Sequence, residues 1–190
     1  MSQDPDPTNI PFESEAVKKQ EESASDSEHP VPAWEDGTDL KNLLESPGFI
    51  KDSGTVLAAK LFSNHPGKEP LQKIQGSKVH WKGILKNSYM YLSDFYFRSG
   101  SGSKAFFEIA QVESGPFGTK CPCFAVVSFP KECSEYLQKN IGRIFEFAGT
   151  IVKVKTFSRE IYLQDGAFVL CRDKDTSFIS EIEVPDKENR

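Results

Sequence analysis

The sequence lacks any apolar run approaching the roughly 18 residues that a membrane-spanning helix needs. Acids and prolines fill its first residues, where a secretion signal has a basic start followed by an apolar stretch. The expected location is therefore the cytoplasm, or the nucleus if the source is eukaryotic, with no membrane partner. Cysteine is sparse: Cys121, Cys123, Cys133 and Cys171 are too few and too irregularly spaced for a disulfide framework. Free thiols in a reducing compartment are expected. The same four residues do not have the spacing of a zinc ribbon, since Cys121 and Cys123 flank a single proline and helical periodicity turns Cys133 toward a packed side. His29, His65 and His80 fall in a tail, a loop and a strand, none beside a Ser, Cys or carboxylate in a nucleophile-and-base arrangement. The stretch from Gly100 to Lys104 lacks the first glycine spacing and the following helix of a phosphate loop. Neither an enzyme, a metal site nor a cofactor is expected.

Charge is present but unevenly placed. Met1 to Gly37 holds ten acids against Lys18 and Lys19, and Arg172 to Arg190 holds six acids against four bases. The centre, Thr38 to Cys171, therefore carries +5 inside a chain of net charge −5. A basic surplus is the minimum needed to hold a phosphate backbone, because each Lys or Arg near a phosphate releases condensed counterions. It is also a surplus that an ordinary soluble domain uses for solubility.

Residues 1–37 are rich in Ser, Glu, Asp and Pro and offer little area to bury against the entropy of ordering, which predicts a disordered acidic tail. Such a tail serves as a solubilising extension or folds back over the basic centre and competes with a polyanion. Trp34, near its end, reads as a dock onto its own domain, with a partner anchor as the alternative. A short helical extension is expected over 38–75. Leu40, Leu43 and Leu44 follow Asp39, an acidic cap candidate, and Val56, Leu57 and Leu61 follow Ser53 at helical spacing. A shorter helical tract at Pro70 to Ile74 leads into the first strand.

From 76 to 171 the period falls to two. Val79, Trp81, Gly83 and Leu85 alternate with His80, Lys82, Ile84 and Lys86 as one inward strand face, and Gly83 is placed where a small barrel must coil. Tyr89 and Tyr91 continue or re-enter the sheet, and Arg98 to Lys104 is a flexible connection. Strands follow at Lys104 to Val112 and Cys121 to Phe129, then a helix opened by Pro130, then Arg143 to Thr156 with a bulge near Gly149, where the inward set passes from Phe145 and Phe147 to Val152 and Val154. Ile161 to Leu170 is a fifth strand around Asp165-Gly166. Residues 172–190 form an acidic C-terminal tail without periodicity.

The run Val79-His80-Trp81-Lys82-Gly83-Ile84-Leu85, the helix between the third and fourth strands, and Phe145 to Val152 followed by Ile161 to Gly166 together resemble the OB-fold superfamily. Within it the chain is similar to the single-domain anticodon-binding and replication-protein barrels. The resemblance covers about half the chain and rests on layout and glycine placement. It implies a mainly β chain: a five-stranded OB-type Greek-key barrel with a helix between strands 3 and 4, preceded by two short helices.

Fold analogy raises the prior for oligonucleotide binding without naming the ligand. Single strands are held by flat rings that stack on bases and by cations that follow phosphates. The positions that such a barrel presents carry Tyr89, Tyr91, Tyr96, Phe97, Arg98, Lys104, Phe106 and Phe107 on one side, and Lys153, Lys155, Phe157 and Arg159 at the loop between strands four and five. Some of these rings must serve the core, and Lys153, Lys155 and Arg159 are the ones expected at the surface. The expected function is a non-enzymatic binding module for single-stranded nucleic acid. The alternative is a protein-interaction barrel that docks a partner subunit through the same rings or through the helices from Asp39 to Asn64.

Overall fold

A computed structural model of the chain describes residues 31–63, 71–98, 100–114 and 116–171, with the side chains of 71, 72 and 114 excepted. The expectations for residues 1–30 and for the C-terminal tail lie outside the described residues, as do those for His29 and His65.

Strict alternation over β1 (Lys78–Tyr91) produces the inward face that its sequence calls for: Val79, Trp81 and Leu85 are buried, while His80 and Lys86 stay exposed. A Cβ at Gly83 would lie 2.8 Å from the Phe107 Cβ and 3.2 Å from the Glu108 carbonyl oxygen, so the strand can cross the barrel wall here only without a side chain. A register shift between Leu85 and Asn87 bends β1 and carries it without a break to Tyr91, so Tyr89 and Tyr91 belong to the first strand and not to a later one.

β2 (Gly102–Ser114), β3 (Thr119–Phe129), β4 (Ile144–Lys155) and β5 (Glu160–Leu170) complete a closed barrel in the order β1-β2-β3-β5-β4. Every pairing is antiparallel except β3 with β5, which run parallel from Phe124 opposite Glu160 to Val127 opposite Leu163. Between β3 and β4 a 3₁₀ turn, Lys131–Cys133, leads into a helix over Ser134–Lys139. Strand order and helix position together are those of an OB fold.

Gly149 is opposed by both Asp165 and Gly166, so the bulge expected in β4 at this point lies in its partner β5, where Asp165 takes a φ of 55°. A Cβ on Gly166 would fall 2.5 Å from Val127 Cγ1, which explains why glycine follows the aspartate. A second shift lies between Ile151 and Lys153. The interior set of β4 is consequently Phe145, Phe147 and Ile151, with Val154 packed against it. Val152 instead joins an outer cluster: the alternation of β4 runs unchanged through Gly149 to Ile151 and reverses only at this second shift, where Val152 is the extra residue.

The interior is aromatic: Phe107 stacks on Phe147 at 4.3 Å, and Phe145, Phe129 and Phe168 meet edge to face. α1 (Thr38–Leu44) lies over the outside of β4 and β5, where Leu40 packs with Ala148 and Ala167. Asp39 is not its cap. Gly37, at φ 84°, occupies that position, and Asp36 Oδ1 accepts a hydrogen bond from the Thr38 amide at 2.8 Å. α2 (Gly54–Phe62) is capped by Ser53, as its sequence predicts, and gives Leu57, Ala58, Leu61 and Phe62 to the main core. α3 (Leu71–Ile74) is the short tract before β1. Residues 31–37, expected to belong to the tail, form a turn. Trp34 docks on this turn's own domain, 5.3 Å from the Tyr136 ring and 6.1 Å from Phe168. This half-buried ring supplies area that the acidic sequence before it lacks.

Candidate functional site

The outer face of β2, β3 and β5 carries Phe106, Phe124, Val126 and Tyr162, and Tyr91 from the end of β1 joins them. The alternation that sends Phe107, Ala125 and Leu163 inward leaves these neighbours outside. A bare sheet of such rings would be an apolar patch. Here the β1–β2 connection lies across it: Phe97 is only 4% exposed and packs 5.8 Å from Tyr91 and 5.9 Å from Tyr162, while Tyr96 sits 4.6 Å from the Tyr162 ring.

Two lysines are enclosed by this arrangement. Lys104, on β2 opposite Tyr89, is 7% exposed. Its ammonium is ion-paired with Asp94 of the connection and lies 5.3 to 5.9 Å from the ring centres of Tyr89, Tyr91, Phe97 and Tyr162. The negative faces of aromatic rings stabilise a cation that has lost part of its water. Asp94 also accepts the Tyr96 amide hydrogen at 2.8 Å. Burial alone would raise the Asp94 carboxyl. The hydrogen bond and charge of Lys104 and the amides of Tyr96 and Phe97 outweigh it and hold the group below the usual carboxylate value.

Lys155, at the end of β4, donates to the Tyr162 hydroxyl at 3.0 Å and stands 4.5 Å from the Tyr96 ring centre. The hydrogen bond to Tyr162 holds its ammonium above the ordinary lysine range, with burial working against it. Tyr162 in turn donates to Glu160 at 2.8 Å. Burial first, and that bond to Glu160 second, push its hydroxyl up to about 12, against the opposing influence of Lys155.

The residues singled out in the sequence thus divide into four environments. Tyr91, Tyr96, Lys104, Phe106 and Lys155 converge on Tyr162, with Tyr89 at the margin, 5.7 Å from Phe106 and partly exposed. Lys153, Phe157 and Arg159 lie at the neighbouring β4–β5 turn: Lys153 is exposed, Phe157 is 96% exposed, and Arg159 is half-buried at φ 54°. The Arg159 Nε is buried and, among the described residues, has no hydrogen-bond partner. Arg98, at the far end of the connection, is exposed. Phe107 does not belong to this face at all, since its position on β2 sends it to the interior stack with Phe147. Lys104 belongs to the face but is covered, because its carboxylate partner comes from a loop distant from strand periodicity.

Three residues outside the original selection matter here. Asp94 supplies the carboxylate, and a Ser-Asp pair ahead of an aromatic run, which favours a side chain that turns back onto its own backbone, was the signal for it. Phe95, next to it, is 94% exposed. Tyr162 is the ring that both lysines share, and nothing in the alternation of β5 distinguishes it from its neighbours.

Cys123 and Cys133 are buried, and burial is the main cause that pushes both thiols up to about 12. Among the described residues no group of three or more His, Cys, Asp or Glu is placed to hold a metal ion. Among those residues no helix is long and apolar enough to cross a membrane.

No protein-family model matches the chain, and no curated protein sequence does. Among solved structures it is similar to the solution structure of DNA-binding domain A of S. cerevisiae Replication Protein A, at 11% identity and a TM-score of 0.30, over 57% of this chain and 92% of that one.

Proposed function

We propose that this chain is a non-enzymatic OB barrel that binds single-stranded nucleic acid at the two adjoining loops that follow β1 and β4. The observation that carries the reading is the pair Phe95 and Phe157. Both rings are held almost wholly in water, one on each loop, and the Tyr96–Tyr162 contact and Lys155 bring the loops together. Phe95 meets the Tyr96 ring edge to face at 5.3 Å, yet a phenylalanine this exposed gains little from packing, whereas a ring beside cations is what a base and its phosphate require. Lys153 and Arg98 are the exposed cations placed to follow the backbone, with Lys155 and Arg159 behind them.

An anisotropy titration of the full chain with single-stranded DNA and RNA, at low and physiological salt, tests this. Affinity is expected to fall steeply with salt. Removing Phe95 and Phe157 together should weaken binding by roughly tenfold or more, at about 1–3 kcal/mol per stacked base. Replacing Lys153, Lys155 and Arg159 by alanine should flatten the salt dependence; an unchanged affinity would remove the phosphate-tracking role. Met90 and Leu92, exposed apolar residues at the end of the same hairpin, favour a second reading, a docking surface for a protein subunit. Binding that scarcely responds to salt would select it.

A further inference from the structure

The β1–β2 connection is much longer than its task of joining two strands requires. Tyr91 and Gly102 are direct cross-strand partners, so a two-residue turn would close the hairpin, yet ten residues lie between them. Among the described residues, 92–98 make no backbone-to-backbone hydrogen bond to the sheet. They are held to it by side chains: Asp94 on Lys104, Phe97 under the surface against Tyr91 and Tyr162, and Tyr96 on Tyr162 and Lys155.

What the connection brings to the sheet has a particular chemistry. It presents an anion, Asp94, and then, within three residues, two flat rings, Tyr96 and Phe97. What receives it is a buried cation walled by aromatic faces. An anion followed by planar groups is also the order in which a single strand offers phosphate and base.

We propose that the outer face of β2, β3 and β5 is a latent phosphodiester site built around Lys104, and that the connection is its internal occupant, with Asp94 in the place of a phosphate and Phe97 and Tyr96 in the place of bases. The inference rests on the nucleic-acid reading given above and deepens it. The exposed rings Phe95 and Phe157 make the first encounter, and a strand long enough to reach Lys104 must displace Asp94. Gly100 and Ser101, just before β2 begins, supply the hinge at one end of the connection.

Asp94→Asn removes the competing charge while keeping the shape of the side chain. In an anisotropy titration of the full chain with fluorescein-labelled oligothymidylate, this variant should bind about tenfold more tightly than the parent, and the slope of log affinity against log salt should steepen by about one, the contribution of one freed lysine. A second variant guards against loss of the loop's own fold: replacing 92–101 by Asn-Gly leaves the paired strands and uncovers the face. It should show the same steeper slope, and adding Lys104→Ala to it should remove that increment. If the parent binds and neither variant binds differently, the latent site is wrong while the loop-tip reading stands. If the parent and both variants all fail to bind at low salt, the nucleic-acid reading falls and this inference with it.

Discussion

Two outer faces of the barrel are covered, by different means. Over β4 and β5 the cover is helix α1, whose Leu40 meets Ala148 and Ala167 with no charged group between them. Over β2, β3 and β5 the cover is a connection without regular structure, and its deepest contact is an ion pair, Asp94 with Lys104, among four rings. An apolar cover is indifferent to salt and pH and has no other partner to exchange for. A cover fastened by a carboxylate on a lysine can be replaced by any anion of suitable shape, and its hold depends on the charge of both groups. The two faces separate a structural use of burial from a conditional one.

That contrast is most easily broken by the largest change. Leu40→Ala is expected to lower the stability of the barrel by about 2–5 kcal/mol, because a helix docked on small residues cannot collapse to fill the cavity. Urea unfolding would show the loss as a lower midpoint at unchanged slope, and equally at low and high salt. A strong salt dependence would mean that α1 is held by charge after all. Phe97→Ala should cost less, on the order of 1 kcal/mol, since a connection bound through side chains moves aside instead of leaving a void. Its more telling signature is faster amide exchange confined to 94–98, with the strands unaffected.

Strand order was legible in the sequence because alternation, glycine positions and the helix opened at Pro130 are local signals, and each survives in the barrel. The division of the aromatic residues was not. Phe106 and Phe107 are neighbours of equal hydrophobicity, and which of them faces inward depends on the parity of β2, which bulges reset. The burial of Lys104 was least legible of all. It depends on Asp94, ten residues earlier in an irregular connection, and periodicity cannot report a contact that strand pairing does not make. The exposure of Lys153 was legible because a charge near the end of a strand has few places to go but water. Lys155 and Arg159, expected at the surface with it, are half-buried because Lys155 folds onto the rings of Tyr96 and Tyr162 and Arg159 sits at a tight turn with φ 54°.

The pH dependence sharpens the comparison from the other side. The Asp94 carboxyl is held below its ordinary value in the folded chain, so its contribution is complete above the unfolded value of about 3.9 and declines as pH falls through that value toward the lower folded one. Two other groups of its face, Lys155 and Tyr162, stay protonated throughout this window, since hydrogen bonding to Tyr162 raises Lys155 and Tyr162 itself is pushed up to about 12. The face also holds a second carboxylate, Glu160, which accepts from Tyr162, so the Asp94→Asn variant is needed to tell the two apart. Acidification below about pH 4 should therefore loosen the connection while α1 stays docked, seen as broadening of the Tyr96 and Phe97 amide signals before those of Leu40 and Leu43. Asp94→Asn should abolish the difference. Simultaneous loss of both covers would show that acid acts on the barrel as a whole.

The smallest effect expected is none at all, and it separates the two covers most cleanly. Cys123 points into the interior from β3, and its thiol, pushed up to about 12 by burial, is closed to alkylating reagents while the barrel is intact. Releasing the connection uncovers Phe106, Phe124 and Val126 on the opposite side of the same strands and leaves the interior side untouched. Iodoacetamide labelling of Cys123 should thus run at the same slow rate in the parent and in Asp94→Asn, and faster in Leu40→Ala, where global opening becomes more frequent. Faster labelling in Asp94→Asn would make the connection part of the barrel's own stability, and the outer face could then no longer open without the fold opening too.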